Sequence, residues 1–254
     1  MQTGGAMAKT ILITGASRGI GRAAARQAGR LGWSVGVNYV SNHEAATAVA
    51  SEIERDGGRA ALLRGDVAVE ADVVDMFAAA AKAFGRLDAV VVNAGIVAPA
   101  SRLADMSVER MKRVFDVNVL GAYLCAREAA RHLARSHGGS GGSIVIVSSA
   151  ASRLGSPAEY VDYAGSKGAM DSLTTGLAKE LGPDGVRVNA VRPAFIETEI
   201  HATSGRADRA QVLGAETPLR RAGTAEEVAE AIIWLAGDAS SYVTGSFIDM
   251  AGGR

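Results

Sequence analysis

A Rossmann-like, doubly wound α/β fold is what this chain of 254 residues predicts, with a parallel sheet of about seven strands and helices on both faces. Three observations carry that expectation. Short runs of Val, Ile and Leu alternate with longer helical stretches from end to end, and continuous apolar strands belong to parallel sheets covered on both faces. A glycine-rich turn, TGASRGIG (14–21), directly follows the first run and opens a helix. Hydrophobic residues make up 48% of the chain, enough for a sizeable core, yet no apolar run reaches the roughly 18 residues of a membrane span.

Taken in order, KTILIT (9–14) reads as the first strand, followed by a helix to about residue 31. SVGVNY (34–39) is the second strand, with a helix over 42–56. AALLRGDV (60–67) is the third, with a helix over 69–84. LDAVVVNAG (87–95) is the fourth, and helical stretches cover 107–136. GSIVIVSS (142–149) is the fifth, with a helix over 161–181. VRVNAVRP (186–193) is the sixth and SFIDM (246–250) a short seventh. Right-handed crossovers between such strands give a doubly wound sheet. HGGSGG (137–142) is a flexible connection. Residues 194–222 lack periodicity and follow the carboxyl end of a strand, where long loops often act as lids. No composition shift marks a boundary, so residues 9–254 are expected to form a single domain. Residues 1–8 read as a flexible leader, with Met7 a candidate natural start.

Charge and cysteine content narrow the partners. Lys plus Arg equals Asp plus Glu at 27 each, so nothing calls for nucleic acid or an anionic membrane. The single cysteine, Cys125, forms no internal disulfide and suits a reducing cytoplasm. Its Ala-rich surroundings mark it as a small core residue rather than a nucleophile. The four histidines (43, 132, 137, 201) lack metal-ligand spacing, and no metal is expected.

Two short motifs carry the chemistry. In TGASRGIG, Gly15, Gly19 and Gly21 follow the spacing GxxxGxG, with Ser17, Arg18 and Ile20 between them. Glycine allows a tight turn that brings backbone N–H groups to a pyrophosphate, and the helix N-terminus adds partial positive charge. In YAGSK (163–167), Tyr163 and Lys167 stand on one helix face, about 6 Å apart along the axis. An ammonium at that distance favours phenolate by roughly 3 kcal/mol at an effective dielectric near 20, or about two pKa units. The pairing therefore predicts a tyrosine that serves as general acid or base near neutral pH. Tyr160 has Ala164 four residues on and lacks such a partner.

TGASRGIG, NAG (93–95), Asn118, Ser149, YAGSK and RPAFIET (192–198) occur in that order. Together they resemble the short-chain dehydrogenase/reductase family over about residues 9–253, with glucose-dehydrogenase-like and 3-oxoacyl-acyl-carrier-protein-reductase-like members most similar. Two positions depart from the family's pattern: Val92 precedes NAG, and Ala194 follows Pro193. The resemblance implies hydride transfer between a nicotinamide and a carbonyl or alcohol, with Asn118, Ser149, Tyr163 and Lys167 as catalytic residues. Tyr163 moves the proton and Ser149 steadies the substrate oxygen. Lys167 also holds the nicotinamide ribose, and Asn118 helps hold a water that links Lys167 to solvent. Ser148 is the alternative serine, but strand alternation sends it to the opposite face. Asp66 and Val67 match positions at the adenine. Asn93, Ala94 and Gly95 match the ribose and middle of the cofactor, and Pro193, Ile196 and Thr198 the nicotinamide. The second strand ends Val37-Asn38-Tyr39, with no carboxylate to take a ribose 2′-OH, so Asn38, Tyr39 and Arg18 point to NADP over NAD. The resemblance also implies a homotetramer. The alternatives from other classes are a dinucleotide sensor without turnover and an extended-family lyase or epimerase.

Overall fold

The structure is a computed structural model in which residues 8–198 and 208–254 are described. The expected leader lies outside the described residues but for Ala8, as do His201 and the middle of the expected lid. Seven parallel strands form one sheet: β1 (Thr10–Ile13), β2 (Ser34–Tyr39), β3 (Arg59–Arg64), β4 (Ala89–Val92), β5 (Gly142–Val147), β6 (Val186–Pro193) and β9 (Phe247–Met250). Their spatial order is β3-β2-β1-β4-β5-β6-β9. The chain thus reverses direction between β1 and β4, which pair through Ile11↔Ala89 and Ile13↔Val91. In such a sheet the ligand crevice lies beyond the carboxyl ends of the strands at that switch point.

Both sheet faces are packed, which is why the strands read as unbroken apolar runs. Successive residues point to opposite faces. Leu12, Val90, Val92, Ile144 and Ile146 pack with α3 (Glu70–Phe84), α5 (Gly121–Leu133) and α7 (Val161–Leu181). Ile11, Ile13, Val35, Val37, Val91 and Val145 pack on the other side with α1 (Gly19–Arg30), α2 (His43–Arg55) and α9 (Ala225–Ala236). The helix α9 has no counterpart in the sequence expectations. Its start is a capping box: Thr224 Oγ1 accepts from the Glu227 N–H (3.1 Å), and Glu227 accepts from the Thr224 N–H (2.8 Å).

Other boundaries also differ. The third strand stops at Arg64 and the fifth at Val147, so Ser149 lies just beyond the strand and not within it. The expected helix over 107–136 is three pieces: α4 (Val108–Phe115), one π-helical turn (Asp116–Leu120) and α5. Such a widened turn marks functional places in many helices, and this one contains Asn118. Around the site lie α6 (Ala151–Leu154), α8 (Arg209–Gly214) and a small pairing of β7 (Ile196–Glu197) with β8 (Gly223–Thr224).

Candidate active site

The glycine loop leaves β1 and turns at Gly15, whose φ of +64° lies in the left-handed region open to glycine. Gly21 serves packing: a Cβ there would sit 2.4 Å from the Gly15 carbonyl oxygen and 2.6 Å from Asn93 Nδ2. Gly21 therefore closes the helix onto the loop and does not line the cavity. The loop is braced from behind. Asn38 Oδ1 accepts from the Gly15 N–H (2.9 Å), and its Nδ2 donates to the carbonyls of Leu63 (3.1 Å) and Gly65 (3.0 Å). Asn38 is 1% exposed. This corrects its assignment as a cofactor contact, since its amide is consumed in shaping the loop. Thr14, which the sequence reading did not single out, does similar work. Its hydroxyl accepts from the N–H groups of Asn93 (2.9 Å) and Ala94 (3.0 Å) and so ties the NAG turn to the loop.

At the N-terminus of α1 no side chain caps the helix, and its first turn holds no acidic residue. Its free N–H groups and partial positive charge face one cavity of about 760 Å³. Ser17, Arg18, Gly19 and Ile20 line this cavity, with Tyr39, Asp66 and Val67 at the same end. Ser41 and Asn42, just past β2, also line it and were not foreseen. The exposed Arg18 has no ion pair among the described residues. The Tyr39 hydroxyl pairs with His43 Nδ1 at 2.8 Å. Asn93, Ala94 and Gly95 line the middle, and Pro193, Ile196 and Thr198 the far wall beside Ser149, Tyr163 and Lys167.

The end opposite the glycine loop is drawn together by α7. Lys167 is 5% exposed and donates from Nζ to the Val147 carbonyl (2.7 Å). Nζ lies 5.6 Å from the centre of the Tyr163 ring. Burial lowers the Lys167 ammonium to about 8, opposed by the negative charge of Asp171. Tyr163 departs from expectation: burial raises its phenol above 10, and a hydrogen bond with Ser149 only partly offsets this. Desolvation penalises phenolate, and it is the largest influence on this phenol. Ser149 Oγ accepts from the Ala151 N–H (3.1 Å). Ser148 donates to Asp171 Oδ1 (2.7 Å), and Ser149 Oγ donates to the Pro193 carbonyl (3.3 Å).

Asn118 reaches the same neighbourhood but does not line the cavity. Its Oδ1 accepts from the Ile96 N–H (2.8 Å), and its Nδ2 donates to the Ile96 carbonyl (2.9 Å) and to Ser166 Oγ (3.1 Å). Its side-chain amide therefore fastens the loop after β4 to α7. Cys125 is buried, which pushes its thiol up to about 12, so it is no nucleophile at neutral pH.

Two further groups meet at the cavity mouth. Arg209 binds Glu159 through both nitrogens (2.7 and 2.6 Å), and its guanidinium lies 5.0 Å from the Tyr160 ring. Both charged residues line the cavity.

Comparison with known proteins agrees with this geometry. A family model described as enoyl-(acyl carrier protein) reductase matches residues 15–254. An uncharacterized oxidoreductase, YgfF of Escherichia coli, is 52% identical over 96% of this chain and 98% of its own. An L-rhamnose 1-dehydrogenase (NAD(P)(+)) of a Sphingomonas species is 41% identical over 96% of this chain and 95% of its own. A dehydrogenase/reductase of Sinorhizobium meliloti, solved by crystallography, superposes with a TM-score of 0.89 at 34% identity, covering 98% of this chain and 96% of that one.

Proposed function

The chain belongs to the short-chain dehydrogenase/reductase family and is an NAD(P)-dependent oxidoreductase acting on CH–OH or C=O groups; we propose that Tyr163 is its general acid and base. The observation that carries this is the shared cavity: the uncapped helix terminus at one end, and Tyr163, Ser149 and Lys167 at the other. That cradle suits a dinucleotide. Gly15, Ser17, Arg18, Gly19 and Ile20 would hold its phosphates, Asp66 and Val67 its adenine, and Asn93, Ala94 and Gly95 its middle. Lys167, Pro193, Ile196 and Thr198 would border the nicotinamide. When bound, the cofactor gives or takes the hydride.

The protein's own part is the proton. Ser149 donates to the substrate oxygen and holds it beside Tyr163. In reduction the Tyr163 phenol hands its proton to the developing alkoxide, and in oxidation its phenolate takes one. Because burial keeps Tyr163 protonated, the reductive donor state is the populated one at neutral pH. Lys167 feels Tyr163 through space and would anchor the ribose, while Asn118 and Thr14 position loops. Residues 9–254 work as one dinucleotide-binding and catalytic domain.

NADP is the favoured cofactor. Arg18 is exposed at the cavity with its charge unpaired among the described residues, and Tyr39 brings no carboxylate to the end of β2. The substrate is a small molecule, and a sugar ranks first, in keeping with the relative that acts on L-rhamnose. A homotetramer is favoured by the outward apolar side chains of Phe115, Leu120 and Tyr123, between 43% and 49% exposed. Light scattering that returns a single 26.0 kDa chain would refute the tetramer. A cytoplasmic location rests on the single cysteine.

The deciding experiment is turnover of sugars, ketones and secondary alcohols with each cofactor, alongside cofactor titration by fluorescence. Turnover with NADP(H) is expected. Cofactor binding with no turnover of any member would favour the sensor reading instead.

A further inference from the structure

Three chain segments that carry groups of the candidate site converge on one carboxylate behind it. Asp171 stands one helical turn beyond Lys167 on α7 and does not line the cavity. Its Oδ1 accepts from the hydroxyl of Ser148 (2.7 Å), the residue before Ser149. Its Oδ2 accepts from Nε and Nη2 of Arg192 (3.1 and 2.9 Å), the residue before Pro193. The side chains of Asp171 and Arg192 are 19% and 15% exposed, so this two-pronged pair is largely shielded from water. The same corner fastens Lys167. Its Nζ donates to the Val147 carbonyl (2.7 Å), and Ser148 Oγ lies 3.2 Å from the Lys167 carbonyl. One carboxylate thus ties the ends of β5 and β6 to the turn of α7 that begins at Lys167.

Its charge acts there as well. The negative charge of Asp171 opposes the burial that lowers the Lys167 ammonium. Arg192 draws on that charge from β6 while stacking on Phe247, 3.8 Å from the ring centre. Asp249 of β9 faces Arg192 at 3.8 Å and is itself paired with Arg153 of α6 (2.8 Å). On α7 the Tyr163 ring centre lies 5.6 Å from Nζ. The buried carboxylates beside α4 and on α5, Asp162 and Glu128, are matched by Arg110 (2.9 Å) and Arg131 (2.8 Å). Lys167, Asp171, Arg192, Asp249 and Arg153 therefore form a chain of alternating sign, with Asp171 shared between two cations.

We infer that Asp171 is a positioning residue for the reaction: its carboxylate holds the strand ends bearing Ser149 and Pro193 against α7 and supports the Lys167 ammonium, while Arg192 limits how much of that charge Lys167 feels. The inference rests on the oxidoreductase reading above and adds the group that sustains Lys167.

The test is the profile of kcat from about pH 6 to about pH 10 for reduction of a small ketone or aldehyde that the wild type turns over, at saturating reduced cofactor. Wild type, Asp171→Asn and Arg192→Gln are compared, with thermal melting of each. Burial keeps the Tyr163 phenol protonated over this range, so the alkaline limb reports Lys167. Both substitutions break the same ion pair, so a purely structural role would not move the limb in opposite directions. Asp171→Asn removes support from the ammonium and should lower the limb by at least about half a pH unit. It should also cost about tenfold in kcat at pH 7 through lost alignment. Arg192→Gln leaves the carboxylate to act on Lys167 alone and should raise the limb by a similar amount. Where Asp171→Asn fails to fold, the upward shift in Arg192→Gln decides. If the two limbs do not move in opposite directions, or if the wild type has no alkaline limb below about pH 10, the inference is overturned and the oxidoreductase reading stands. Absence of wild-type turnover with every carbonyl and alcohol overturns the oxidoreductase reading, and this one with it.

Discussion

Replacing Lys167 with Met should abolish activity and yet make the protein more stable. Lys167 stays charged at pH 7 in a buried site that lowers its pKa from 10.5 to about 8. That fall corresponds to roughly 3 kcal/mol of preference for the neutral form, a cost the native state bears while the ammonium is charged. Methionine fills similar space without charge. It forfeits the hydrogen bond to the Val147 carbonyl, worth about 1 kcal/mol. The net expectation is a gain of about 2 kcal/mol at pH 7, or about 4–8 °C in melting temperature. The sign with pH follows from which state binds more protons. Between about 8 and 10.5 the unfolded chain holds the lysine proton and the folded one does not, so wild-type stability rises with pH across that window. The advantage of Lys167→Met should therefore be full below about 8 and shrink toward 10.5. Urea denaturation of both proteins, free of cofactor and at equal concentration, at pH 7 and pH 9.5 measures it. A variant less stable than wild type at pH 7, or a difference that does not change with pH, would refute the account of Lys167 as a desolvated cation.

Tyr163→Phe should lower turnover by at least about a thousandfold, with the cofactor dissociation constant within about threefold of wild type; retention of a tenth of the activity while chemistry is rate-limiting would exclude Tyr163 as the proton carrier. Arg18→Ala should weaken NADPH by about tenfold or more and NADH by less than about threefold, read by fluorescence titration, and equal losses would remove Arg18 from phosphate recognition. Asn38→Ala strips three side-chain hydrogen bonds from the glycine loop and its neighbours, so a loss of about 3 kcal/mol in urea and weaker binding of both cofactors are expected. Since burial raises the Tyr163 phenol, oxidation should speed up from about pH 6 to about pH 9 while reduction does not, as steady-state profiles in both directions would reveal.

The parts of this architecture open to a sequence reader were those where one residue type serves one physical need. β1, β2 and β4 are wholly buried, so their apolar runs announce a parallel sheet. The glycine loop and YAGSK are legible because backbone approach and helical spacing leave few substitutes. Asn38 was misread because it sits beside Tyr39 at the carboxyl end of β2, and only the fold reveals that its side chain turns under the loop. Burial was the missing quantity for Tyr163: spacing supplies a lysine neighbour, but the largest influence on the phenol is desolvation, which the sequence does not display. The widened turn at Asp116–Leu120 has no residue code of its own. For α9 a signal did exist, in the TAEE box and the apolar spacing of Val228, Ala229, Ile232 and Leu235.

The bracing of the glycine loop divides labour in a way that bears on how such a protein can change over generations. Thr14 and Asn38 give the loop its shape through bonds made behind it, while Arg18, Ser41 and Asn42 front the cavity at its edge. Mutations in the first group damage the cradle for every ligand. Mutations at Arg18 or Ser41 leave that hidden scaffold untouched. On the reading that Arg18 takes the 2′-phosphate, selection can exchange one nicotinamide cofactor for the other through a few exposed positions, at little risk to folding, and lineages that share this loop are free to drift in cofactor preference while keeping the same chemistry.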